Sequence, residues 1–130
     1  MPVIVSPLPP LLEAMEENLH GHVAYVQRRT PVMQVDDRAD LLLVESGLPC
    51  DSFNKILRAR LTEADADRRI AEAVGYFRAV NRPVAWWVGP GSRPLDLERR
   101  LEEHGLRAAE SELGMALELA QLPAQVDAPA

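Results

Sequence analysis

Three histidines, a single cysteine and a handful of paired carboxylates are the side chains with which this sequence could do chemistry. Their spacing assigns none of them to catalysis or to a metal. His20 and His22 are two apart, and a helix turns such residues in different directions, so they read as structural or solvent-facing side chains. His104 precedes Gly105, where a cation-capable side chain suits the negative end of a helix. Cys50 follows Pro49 in a turn with no base assigned to it and reads as inert. Glu13, Glu16, Glu17 and the Asp36-Asp37 pair lack the regularly spaced oxygens and the turn glycine of a calcium loop, and read as solvated charge. An anion has two places to go. One is the run around Thr62, Arg68 and Arg69; the other is Gly89-Pro90-Gly91-Ser92-Arg93-Pro94, where Ser92 and Arg93 precede a helix. The simpler role of that second loop is to turn a strand into the helix. Trp86 and Trp87 are adjacent and point to opposite faces of a strand, one beneath each layer or one offered to a partner or a cleft wall.

The elements that must hold these residues follow from apolar period. Leu12, Met15, Leu19, Val23 and Val26 recur at helical spacing after Pro7, Pro9 and Pro10, and the helix ends near Arg29. Val32 to Val35 and Ala39 to Glu45 read as strands around an Asp36-Asp37-Arg38 turn, and Phe53 to Leu61 as a third strand. Thr62 and Asp65 have the spacing of a capping box, ahead of Ile70, Ala73, Val74, Phe77 and Val80 at helical period. The continuous apolar run Val84 to Val88 is expected as a central strand covered on both faces. A helix from Pro94 to His104 with Leu97 and Leu101 inward comes next. Leu106 to Glu112 and Met115 to Leu119 then read as closing strands, the second alternatively as a short helix. The sum is a mixed α/β sheet with helices on both faces.

At 130 residues, with 47% apolar and 26% charged side chains, the chain is one domain with a core of its own. We place that domain at 1–121, followed by a Pro/Ala-rich tail or linker at 122–130. A net charge of −6 argues against nucleic acid, which demands clustered positive charge. The longest apolar runs fall far short of the roughly 20 residues that span a bilayer, and no basic segment precedes an apolar one at the start. One cysteine gives no intrachain disulfide, so a reducing, cytoplasmic location is expected.

The second half also resembles a known family. Trp86-Trp87-Val88-Gly89-Pro90-Gly91-Ser92-Arg93-Pro94, then Asp96-Leu97, Leu101, Gly105-Leu106 and Gly114-Met115-Ala116-Leu117, resemble the N-terminal half of bacterial two-domain acetyltransferases of the GNAT superfamily. Ser46-Gly47-Leu48-Pro49 and Phe53-Asn54-Lys55-Ile56-Leu57 fit the same pattern. The resemblance implies a GNAT-like mixed, largely antiparallel sheet, and a diverged half that partners a C-terminal acetyltransferase domain or forms a homodimer. Active members hold the acetyl-CoA pyrophosphate on a glycine-rich turn before the middle helix. Leu61 to Asp67 stands there instead, with no glycine and with Glu63, Asp65 and Asp67. Leu101 stands where many members carry an acidic tyrosine. The expectation is therefore a domain that does not catalyse by itself and needs no cofactor alone. One rival is a small acetyl-CoA-dependent N-acetyltransferase using Thr62, Arg68 and Arg69, and another is a free-standing oligomerisation or interaction protein.

Overall fold

Pro10 opens α1 (Pro10–Arg28), at the position where a missing N–H costs a helix nothing. Leu12, Met15, Leu19 and Val23 are half-buried along one stripe and Ala24 is wholly buried, whereas Val26 is exposed. The computed structural model describes residues 10–116, 120 and 123–125. Pro7 and Pro9, residues 117–119 of the last expected strand and most of the expected 122–130 tail lie outside them.

Four strands follow as β1 (Gln34–Asp37), β2 (Leu42–Glu45), β3 (Lys55–Leu57) and, after α2 (Ala66–Ala79), β4 (Ala85–Trp86); α3 (Leu97–Glu103) closes the order. The sheet runs β1-β2-β3-β4. β1 pairs antiparallel with β2 (Val35 opposite Val44), β2 antiparallel with β3 (Leu43 opposite Ile56), and β3 parallel with β4 (Ile56 opposite Trp86). The fold is thus a mixed, largely antiparallel α/β sheet. The parallel pair exists because α2 carries the chain back over the sheet before β4 begins.

Helices cover both faces. On one, α1 lays Ala24 and Val23 on Leu42, Val44, Leu57, Val35 and Trp87. On the other, α2 and α3 lay Ile70, Ala73, Val74, Phe77, Leu97 and Leu101 on Leu41, Leu43, Ile56 and Trp86. Each large side chain fully buried in this way contributes about 1.5–3 kcal/mol. Asn54 is the buried polar knot at the start of β3. Its Oδ1 accepts the N–H and the hydroxyl of Ser46, both at 2.9 Å, and its Nδ2 donates to the carbonyls of Leu48 (2.7 Å) and Pro83 (3.0 Å). Among the described residues no helix is long and apolar enough to cross a membrane.

Four expectations are corrected. β1 lies two residues later than Val32 to Val35, because Val32 is 80% exposed in a turn while Asp36 and Asp37 take strand positions and ion-pair with Arg38, Arg28 and Arg58. The third strand does not run from Phe53 to Leu61. Arg58 adopts φ +54, which ends the ladder and reverses the alternation, so that Leu57 packs on the α1 side while Ala59 and Leu61 pack on the α2 side. β4 is covered on both faces but is the last strand of the described sheet, not a central one. No strand forms over Leu106 to Ala116, which runs without regular structure past Gly105 (φ +91), the residue that ends α3.

Candidate functional site

The two parallel strands part beyond Ile56 and Trp86 and meet again only at a bridge between Arg60 and Arg93. Three residues (57–59) span the gap on the β3 side and six (87–92) on the β4 side, so the longer side bows outward. Arg93 closes the far end by donating its N–H to the Ala59 carbonyl (2.9 Å) and accepting the Leu61 N–H (3.1 Å). Such an opening at the carboxyl ends of parallel strands is where open α/β sheets usually bind ligands.

Glu16 of α1 fills it. Its Oε1 accepts the Gly91 N–H at 2.9 Å and its Oε2 accepts from Arg60 Nη2 at 3.3 Å, while the residue is 8% exposed. A Cβ at Gly89 would lie 2.4 Å from Oε1, so any side chain there would displace the Glu16 carboxylate. The loop is tied within itself as well. The Gly89 N–H donates to Ser92 Oγ (2.9 Å) and the Ser92 N–H to the Gly89 carbonyl (3.0 Å). His20 follows one turn after Glu16. Burial holds its imidazole below the usual 6.5, with Arg60 and Arg58 acting in the same direction and Glu16 and Glu17 against it. A buried carboxylate, a backbone donor, a guanidinium and an imidazole biased to neutrality could orient a polar ligand, but here the carboxylate and the donor satisfy each other. On the α3 side of the same loop lies an open cleft of about 480 Å³ lined by Val88, Pro90, Pro94, Leu95 and Asp96.

The residues singled out from sequence fall around this opening and at the start of α2. Thr62 Oγ1 accepts the Asp65 N–H (3.1 Å) and its carbonyl accepts the Ala66 N–H (2.9 Å), so Thr62 holds the turn that leads into α2. Arg68 pairs with Glu72 (2.8 Å) and Asp65 (3.4 Å). Arg69 pairs with Asp40 and Glu72, each at 2.7 Å, and these bonds raise its pKa further while Asp40 is pushed below the ordinary carboxylate range. From α3, Arg100 and His104 both reach Asp67, at 2.8 and 3.1 Å. Trp86 packs toward α2 and α3 with its indole N–H buried and without a hydrogen-bond partner among the described residues, and Trp87 packs toward α1 with Lys55 Nζ 3.9 Å from its ring centroid. Ser92 is buried as the loop's internal tie, and Arg93 Nη1 donates to the carbonyls of Pro90 (3.2 Å) and Ser92 (2.9 Å).

The reading of Glu16 as solvated charge is corrected, since its carboxylate is buried against the Gly91 N–H and Arg60, and the tight approach at Gly89 was not anticipated. A signal existed for the first of these, since Glu16 lies four residues after Leu12 and three before Leu19 and so interrupts the apolar stripe of α1 with a carboxylate. No protein family model matches this chain, and neither does any curated protein or solved structure.

Proposed function

We propose that this chain is a GNAT-like domain without catalytic activity of its own, which packs against an acetyltransferase half or against a copy of itself and helps to shape a cleft. The observation that carries the reading is the turn entering α2. Glu63, Asp65 and Asp67 crowd the helix start, and the guanidinium groups of Arg68 and Arg69 are already bound to Glu72, Asp65 and Asp40. A diphosphate there would meet negative charge, and would have to strip two arginines from their partners. Two further observations support the reading: Glu16 occupies the parting of β3 and β4, and Leu101 is a core residue only 6% exposed, in the place where the resemblance would put an acid.

Isothermal titration of the full chain with acetyl-CoA tests this. No binding is expected at micromolar ligand. Low-micromolar binding that is lost in Arg69→Ala would replace the reading with that of a small acetyl-CoA-dependent N-acetyltransferase.

A further inference from the structure

The sequence holds thirteen arginines and one lysine. Among the described residues an arginine or His104 supplies the cation of every ion pair, and Lys55 enters none. The one side-chain amine is thus kept out of the role the other cations play. Strand alternation puts Lys55 on the same face of β3 as Leu57, the face that α1 covers. Val44 and Ala85 lie opposite it on the neighbouring strands, and its Nζ sits 3.9 Å from the centroid of the Trp87 ring. Partial burial holds the amine below the usual lysine range, although Glu112 and Asp51 pull the other way. The residue is only half-buried, so a small reagent can reach it. A guanidinium in this place would keep its proton and offer an electrophile no lone pair; an amine that burial inclines toward neutrality offers one. The same charge faces the segment after α3. Glu112 is one of the two carboxylates whose charge Lys55 feels, and two residues further on a Cβ at Gly114 would lie 2.9 Å from the Met15 methyl. Arg107 to Ala116 forms no helix or strand, so contacts of this kind are what keep it beside α1.

We propose that Lys55 is a modification site: its Nζ takes an acyl group from a thioester, and the amide so formed releases residues 107–116 from the α1 side. In that step the amine lone pair attacks the thioester carbonyl and a C–N bond forms as the C–S bond breaks. The thiolate leaves with the electron pair, and the surplus proton on nitrogen passes to water. The amide is neutral, so it gives up the attraction to the Trp87 face and leaves Glu112 without an opposing charge. No bound coenzyme takes part, so the proposal stands or falls apart from the acetyl-CoA titration above.

Treatment of the full chain with the uncharged thioester S-acetyl-N-acetylcysteamine, followed by peptide mass mapping, tests it. Near neutral pH, Lys55 should be acetylated at least about fivefold faster in the folded chain than in a free peptide of residues 51–59, and the advantage should vanish toward about pH 10, where both amines are free. In the acetylated chain the nuclear Overhauser contact between the Met15 methyl and Gly114 should disappear. Lys55→Arg keeps a positive charge on the Trp87 ring and takes no acyl group, so there the contact should persist through the same treatment. Acetylation of folded Lys55 no faster than that of the peptide, a Met15 to Gly114 contact that outlasts acetylation of Lys55, or one that Lys55→Arg loses under the reagent would each overturn it.

Discussion

Replacing Gly89 by alanine puts a methyl group where the Glu16 carboxylate already sits. The Cβ would start 2.4 Å from Oε1, and a comfortable carbon–oxygen contact is about 3.3 Å, so the oxygen must retreat by about 1 Å. It has little freedom to do so while it accepts the Gly91 N–H at 2.9 Å from a site 8% exposed, and that bond lengthens past useful range. Losing a charge-assisted hydrogen bond of this kind costs about 1.5–3 kcal/mol. Gly89 lies outside the positive-φ region, so alanine also stiffens the unfolded chain and returns about 0.4–1 kcal/mol. The net expectation is a loss of about 1–2 kcal/mol by urea denaturation, or a melting temperature lower by about 4–7 °C. The decisive measurement is the double-mutant cycle with Glu16→Ala. In that background the methyl meets no carboxylate, and Gly89→Ala should be neutral or mildly stabilising, which gives a coupling of about 1.5–3 kcal/mol. If Gly89→Ala costs the same with and without the Glu16 carboxylate, Glu16 does not fill the opening as described.

Asn54→Asp removes the donor that the Leu48 and Pro83 carbonyls share and turns a fully buried acceptor toward them, so it should cost about 3 kcal/mol or more in urea unfolding; a loss under about 1 kcal/mol would contradict the described knot. His20 sets a pH dependence of defined sign. Because its folded pKa lies below 6.5, the unfolded chain takes up the proton first, so stability is fully present above pH 6.5 and declines as pH falls from there toward the folded value. Urea midpoints collected through that window should show a slope that His20→Gln removes, and an unchanged slope would show that burial of the imidazole does not act on folding.

What the residue order discloses follows local physics closely. The three helices are legible because each has an apolar stripe of helical period, and the opposed burial of Trp86 and Trp87 is legible because strand neighbours always face apart. The break in β3 is not legible, since Arg58 adopts its left-handed conformation with none of the markers that glycine or asparagine would supply. The place of β4 at the end of the described sheet is likewise hidden. A strand buried on both faces has the same composition whether its backbone edge is paired or open. At the candidate site, Arg68 and Arg69 could be named from type alone, but their commitment to Asp40, Asp65 and Glu72 depends on contacts up to 29 residues apart. Glu16 was visible as an interruption in α1, yet its function needs Gly91, which is 75 residues away.

The cations holding Asp37, Asp40 and Asp96 are all guanidinium groups. Guanidinium keeps its proton throughout the range in which proteins survive, so alkali cannot dissolve these links by neutralising their positive partner. Acid can, because each acceptor is a carboxylate. The clasps that fasten α1 to β1 at Asp37, the turn before β2 to α2 at Asp40 and the start of α3 to its own first turn at Asp96 therefore release in one direction only, toward low pH.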